Sequence, residues 1–428
     1  MNDRSLLIVT RDFPPYCNKV GWMIRAATLA NFFVDRGFDV HVLCHGRVRQ
    51  WSFVDLRPSI KIHPIKDFLA YYDLPRSEVG VSGLVVKVAK RVIKRVGRKR
   101  LIDFDHVFVP TFEREAARLI EAHGIRHVLV STPPHSLQVV GAALKERFGD
   151  RITLWADFRD SWTIIPEKTS VHAPELVARE ESRVFDKADH VLVVNKGMAS
   201  AYGRVYPKAK DKIRIVRNGY VSDSKSVEPQ AEVRDFVKQA HLEGRTVVGY
   251  FGVGGVGKPR NDGKDLDPLF AVLDRDPALA RKFAIVVQGE FTVDRKPPEG
   301  TSFLSLPAAS NAQARANIAL IDAGIVLHTI EASAPLVMGG KIYDYMASHV
   351  AIWFLVPPNA ESLFDIARMS QKPFISDVTS LDSVAATARE LTQLKDAGQL
   401  STRRYTDVDA RPFSRDEQYK LILEAMSP

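Results

Sequence analysis

At 428 residues, with 45% apolar and 26% charged content, the chain is too long for one ordinary domain and too apolar to be disordered, so two domains of about 200 residues each are expected. The net charge of +9 is concentrated: residues 87–100, KVAKRVIKRVGRKR, hold eight Lys or Arg and no acid. The opening MNDRSLLIVTRDFPP carries no secretory signal, no stretch reaches the ~20 apolar residues of a membrane span, and two cysteines, Cys17 and Cys44, indicate a reducing compartment; the cytoplasm is the expected location.

In the first half, LLIVT (6–10) predicts a strand, followed by a proline-bearing loop and an amphipathic helix from about Gly21 to Arg36. Gly37 stops that helix, and DVHVLC (39–44) is the next strand. Further strands are expected at 106–110, 127–132, 153–158, 190–195 and 213–218, with helices at about 112–123, 135–147 and 174–187. Continuous apolar strands alternating with helices indicate a parallel sheet covered on both faces.

The pattern restarts at TVVGYFG (246–252) and continues through strands at 283–289, 302–307, 324–330, 351–356 and 373–378. The polar stretch 219–244 is read as a linker. The expected organisation is therefore a Rossmann-like domain over 1–218, the linker, a second Rossmann-like domain over 245–408, and a terminal segment, 409–428, with an amphipathic helix (413–426). The fold class is α/β: two doubly wound parallel sheets facing across a cleft, with ligands expected beyond the carboxyl ends of the strands.

Four loops at those ends carry chemistry. The first connection, RDFPPYCNKVG (11–21), ends in Gly21 at a helix start, which suits a phosphate; an ordinary turn would read the same way. STPPHS (131–136) places His135 after a strand and before a helix, as a reacting group or as a solvated cap. ADFRDSW (156–162) offers Asp157, Arg159 and Asp160 beside Trp162, either for sugar hydroxyls and a ring face or as an ion pair shaping the loop. FGVGGVGKPRNDGK (251–264) lets Gly252 and Gly254 bring backbone N–H groups close to an anion, with Lys258, Arg260 and Lys264 as countercharge.

The segment SAPLVMGGKIYDYMAS (333–348) is the strongest of all. Gly339 and Gly340 precede Lys341 in the first turn of a helix, with Asp344 and Tyr345 behind it. A diphosphate could take the helix N–H groups and Lys341, and a ribose Asp344; an i,i+3 Lys–Asp pair is the plainer alternative.

Taken in order, LLIVTRDFPP, GWMIRAATLANFFVDRGFDVHVLC, STPPHSLQVVGAAL, ADFRDSW, RIVRNGY and GGKIYDYMAS resemble the family 4 retaining glycosyltransferases, above all bacterial members that build capsule, exopolysaccharide or O-antigen chains. The resemblance covers essentially the whole chain. It implies a GT-B fold, a UDP- or GDP-sugar donor held mainly by the second domain, an acceptor held mainly by the first, a C-terminal helix (413–426, within 409–428) that crosses back to the first domain, and no metal or other cofactor. It implies catalytic roles for His135 and Lys341, with Lys258 or Arg260 on the phosphates. The family's Glu-x7-Glu pair is incomplete: the second Glu falls on Asp344 and the first on Leu336, so Glu331 is the candidate substitute. The usual Arg after the first glycine of the second domain is Val253.

Within 83–101, Val85, Val88, Ala89, Val92 and Val96 share one helical face, while Lys87, Lys90, Arg91, Lys94, Arg95 and Arg98 occupy the rest. That pattern predicts an in-plane helix on an anionic membrane, consistent with a lipid-linked glycan acceptor and with peripheral attachment to the inner face of the plasma membrane. A solvated surface helix or a nucleic-acid patch is the plainer alternative, although no aromatic-basic platform points to nucleic acid. The competing readings are a catalytically silent GT-B scaffold at the membrane and a GT-B sugar-nucleotide epimerase.

Overall fold

The computed structural model describes residues 2–17, 20–46, 55–66, 101–164, 173–221, 227–255, 264–292, 295–370 and 373–426. The chain divides into two compact units, Met1–Arg217 with Ile422–Pro428, and Asn218–Leu421.

The first unit is built on seven parallel strands: β1 (Asn2–Val9), β2 (Asp39–Gly46), β3 (Lys61–Lys66), β4 (Ile125–Thr132), β5 (Thr153–Phe158), β6 (His190–Val193) and β7 (Ile213–Ile215). Their order across the sheet is β3-β2-β1-β4-β5-β6-β7, so the winding reverses between β1 and β4. Helices Val20–Val34, Val109–His123, Leu137–Phe148, Pro174–Lys187 and Lys196–Val205 connect them. The strand interiors Leu6–Val9 and Val128–Val130 are fully buried, as a sheet covered on both faces requires.

One expected strand is absent. Residues 106–110 form the end of a 3-10 turn, Phe104–Phe108, and the start of helix Val109–His123. The Asp103 carboxylate caps that turn by accepting the His106 N–H, and Pro110 stands in the first helical turn, where its missing N–H costs nothing. Val109, Phe112, Ala116, Ala117, Leu119 and Ile120 are the buried positions, a helical period that outweighs the local β-branched run. Conversely, β3 and helix Lys196–Val205 had no expected counterpart.

The second unit carries six parallel strands: β8 (Thr246–Phe251), β10 (Phe283–Gln288), β12 (Ser302–Leu306), β13 (Ala323–Leu327), β14 (Ala351–Val356) and β15 (Phe374–Asp377). Their order is β12-β10-β8-β13-β14-β15, with the winding reversal between β8 and β13. A separate two-residue pair, β9 (Gly254–Gly255) with β11 (Phe291–Thr292), sits just beyond the main sheet. Every residue of β8, β10, β13 and β14 is buried.

The stretch 219–244, read as a polar linker without a strand, carries a helix. Residues Ala231–Leu242 form a helix whose Val233, Val237 and Ala240 enter the core of the second unit. Its His241 donates to Asp322, a buried carboxylate that also accepts from Lys395 (2.8 Å) and from the Val247 N–H (2.9 Å). Burial alone would raise the Asp322 carboxyl, but these donors more than offset it and hold it below its usual value. Ahead of that helix, Tyr220 pairs with Ser414, and Gly219 takes φ of 60° where a side chain would strike the Phe413 carbonyl.

Candidate functional site

In the first unit the loops after β1, β4 and β5 lie at the carboxyl ends of parallel strands flanking the winding reversal, the usual place for a ligand in an open α/β sheet. His135 is half-buried there. Its Nε2 lies 3.0 Å from the Asp160 carbonyl oxygen, and because a carbonyl only accepts, Nε2 carries a proton. The imidazole stacks on Trp162 at 5.5 Å between ring centres, with the planes 12° apart. The next residue, Ser136, gives both its N–H and its hydroxyl to the Asp103 carboxylate, at 3.0 and 2.5 Å. Burial, reinforced by Asp105, pushes the Asp103 carboxyl up against those bonds. An internal carboxyl thus already serves the start of helix Leu137–Phe148.

The four residues of ADFRDSW have different fates. Asp157 is buried and committed: it binds the Arg25 guanidinium through two hydrogen bonds, 3.0 and 2.8 Å, and accepts from Ser131 Oγ at 2.7 Å. It braces the site from beneath and cannot offer its oxygens to a sugar. Arg159 donates to the carbonyls of Thr132 (3.0 Å) and Pro133 (3.2 Å), stapling the β5 loop to the β4 loop. Trp162 is buried under His135, so it supports that ring where an exposed sugar platform was expected. Asp160 is half-buried and contributes its carbonyl to His135.

Gly21 lies in the first turn of helix Val20–Val34. The loop after β1 supplies charges the sequence reading did not single out. Arg11 Nε donates to buried Asp12 at 2.8 Å, and Arg11 also faces Asp105 at 3.5 Å. Arg25 was equally overlooked. Its signal is a lone charge among the apolar positions of its helix, which burial obliges to find a partner.

In the second unit the glycine-rich loop differs from expectation. The Gly252 N–H donates to the Gln288 carbonyl (2.9 Å), the Gly254 N–H to Glu290 (3.2 Å) and the Gly255 N–H to Lys264 (2.8 Å). These donors are spent on neighbouring backbone, so Gly252 and Gly254 do not form the anion cradle. The glycines are there for closeness: a Cβ on Gly254 would lie 2.8 Å from the Lys264 carbonyl and the Phe291 ring. Lys258 and Arg260 lie outside the described residues.

Tyr345 is likewise a core residue. It is fully buried, its ring covers Gly324, and its hydroxyl donates to the Ile325 carbonyl (3.0 Å) while accepting the Phe251 N–H (3.3 Å). It ties β8 to β13 from within the core. Above it, Lys341 Nζ donates to Asp344 at 3.2 Å, and both side chains keep partial access to solvent. Gly339 and Gly340 are exposed, and a side chain at either would meet nothing within 4 Å. The loop leading to them is clamped by His328 Nε2 on the Ala334 carbonyl (2.8 Å) and by Ser362 Oγ on the Pro335 carbonyl (2.5 Å). Burial holds His328 neutral, with its pKa lowered to about 4. Glu331 is half-buried in the same loop and accepts from Ser333 Oγ at 3.4 Å.

The basic residues Lys87, Lys90, Arg91, Lys94, Arg95 and Arg98 also lie outside the described residues. Among the described residues no helix is long and apolar enough to cross a membrane.

No protein-family model matches this sequence, and no curated protein matches it. Solved structures do resemble it. HepE from Anabaena, solved with UDP, is 13% identical, with 99% of each chain covered and a TM-score of 0.59. Sucrose-phosphate synthase from Thermosynechococcus elongatus is 12% identical, covering 99% of this chain and 98% of its own, at a TM-score of 0.61. WaaG, a glycosyltransferase involved in lipopolysaccharide biosynthesis, is 11% identical with the same coverage and a TM-score of 0.51. At these identities the likeness establishes the fold: two Rossmann-like parallel-sheet units in the GT-B arrangement of elements.

Proposed function

We propose that the chain is a retaining glycosyltransferase, moving a sugar from a UDP- or GDP-sugar to a lipid-linked or growing polysaccharide acceptor. The observation that carries this reading is fold likeness along 99% of the chain to HepE, a protein solved with UDP. The motif order of family 4 retaining glycosyltransferases supports it from the sequence side.

In this reading the donor belongs to the second unit. Lys341 takes the diphosphate, giving up its 3.2 Å contact with Asp344, and the released Asp344 accepts from the ribose. Open space at Gly339 and Gly340 admits phosphate oxygens to the backbone there. Negative charge grows on the leaving diphosphate as the glycosidic bond breaks, so a fixed cation aimed at it lowers the barrier; loss of one such group typically costs about 10²–10³ in rate. Lys258 and Arg260 are the further candidates for that work. Glu331 contacts donor-sugar hydroxyls, and His135 is the candidate catalytic histidine.

The basic run 87–100 provides the charge for an anionic membrane surface, where each Lys or Arg contributes roughly 1 kcal/mol. Titration calorimetry with UDP, GDP and their sugars tests the reading. Binding of one of them, weakened at least tenfold by Lys341→Ala, is expected. No binding of any nucleoside diphosphate would remove the transferase reading.

A further inference from the structure

We propose that Glu181 is a positioning residue that holds the His135 imidazole in place through Tyr202 and the main chain of Trp162. The inference rests on the transferase reading only for what His135 then does; the hold itself is a matter of geometry.

Glu181 lies in helix Pro174–Lys187, fully withdrawn from solvent. Its carboxyl oxygens accept from Tyr202 Oη at 3.1 Å, Tyr206 Oη at 2.8 Å, the Thr163 N–H at 3.2 Å and the Thr163 hydroxyl. A phenol has a single hydrogen. Since Tyr202 gives it to Glu181, its oxygen is left to accept the Trp162 N–H, at 2.8 Å. Two consecutive N–H groups, those of residues 162 and 163, therefore end on one anchor.

That pair of residues carries the His135 support. The Trp162 indole lies under the imidazole, and the Asp160 carbonyl two residues earlier takes the Nε2 hydrogen. Tyr202 and Phe158 pack beneath at 5.6 Å between ring centres, so the support has little room to shift. A buried carboxyl with four donors is costly to assemble and is not needed to fill space. It does fix one backbone conformation, and that conformation sets the plane and the protonated nitrogen of His135.

The decisive comparison is Tyr202→Phe against Tyr206→Phe. Each removes one oxygen and one hydrogen bond to Glu181, but only Tyr202→Phe disconnects the Trp162 N–H. The ¹⁵N signals of His135 in the ligand-free full-length protein should show a proton fixed on Nε2 in the parent and in Tyr206→Phe, and a mixture of tautomers in Tyr202→Phe and Glu181→Gln. In turnover with a nucleotide sugar, Tyr202→Phe should lower kcat by about 10- to 100-fold, the scale of a small misplacement, with donor KM changed less than about threefold. Tyr206→Phe should leave both near the parent values.

Equal effects of the two tyrosine variants on His135 signals, or none from either, would overturn the proposal. Should the protein turn over no nucleotide sugar, the transferase reading fails, while the His135 signals still decide whether Glu181 holds the ring.

Discussion

Asp157 and Arg25 meet through two hydrogen bonds, 2.8 and 3.0 Å, with their side chains 1% and 3% exposed. The pair joins the end of β5 to helix Val20–Val34, and Ser131 closes it from β4. Removing one member leaves the other buried without its counter-charge, which typically costs about 3–5 kcal/mol. Asp157→Ala should lower the unfolding free energy of the first unit, read from urea denaturation, by an amount in that range. A variant as stable as the parent would show that the pair contributes nothing.

Gly255 and Gly340 should behave oppositely when replaced by Ala. Gly255 has φ of 95°, and a Cβ there would fall 2.1 Å from the Thr292 carbonyl oxygen. Gly340 has φ of −70° and open space around it. Strain of this kind costs on the order of 1–3 kcal/mol before the clash is counted, so Gly255→Ala should visibly lower the melting temperature. Gly340→Ala should stay within about 0.5 kcal/mol of the parent in stability. If it also weakens UDP binding, the open backbone at this position is where phosphate approaches.

Acidification should destabilise the protein well above the range where carboxylates titrate. Burial lowers His41, His127 and His328 to about 4 from the ordinary 6.5. Between those two values the unfolded chain binds protons that the native state refuses, so stability rises with pH across that window and is lost as pH falls through it. The contacts agree: the Trp155 indole N–H donates to His127 Nδ1 at 3.4 Å, which requires a neutral ring. Asp322, held below its usual value, adds a loss of the same sign only below about pH 4. Urea midpoints at pH 7 and pH 5 check this, and equal midpoints would contradict it.

Replacing Lys87, Lys90, Arg91, Lys94, Arg95 and Arg98 by Gln should release the protein from vesicles containing phosphatidylglycerol. At roughly 1 kcal/mol for each charge, the loss should exceed a hundredfold in partitioning and shrink as salt is raised. Unchanged sedimentation with vesicles would refute the membrane role of this run.

The repeated βα rhythm was readable because both sheets are buried on two faces, which forces near-continuous apolar strands: TLWADF and AIWFLV coincide residue for residue with β5 and β14. Residues 106–110 failed the same reading, since a five-residue apolar run does not distinguish a strand from a helix start. The buried period of Phe112, Ala116, Leu119 and Ile120 decided for the helix, and the 3-10 turn ahead of it is capped by Asp103, whose other partner, Ser136, lies 33 residues away.

The candidate site shows the same division. Local spacing sufficed to place His135 in a loop beyond a strand end and Lys341 with Asp344 in the first turn of a helix, because the loop after a parallel strand always emerges there and leads into the next helix. It could not say which polar groups were already taken. Asp157 is committed to Arg25 across 132 residues, the Gly252 N–H to Gln288, and the Tyr345 hydroxyl to β8 and β13. The sequence alone determined the fold class and the charge of the basic run, both of which follow from periodicity and composition. Only the tertiary structure decided which of those side chains hold the site together and which remain available, because a hydrogen-bond partner is chosen by proximity in space and not by distance along the chain.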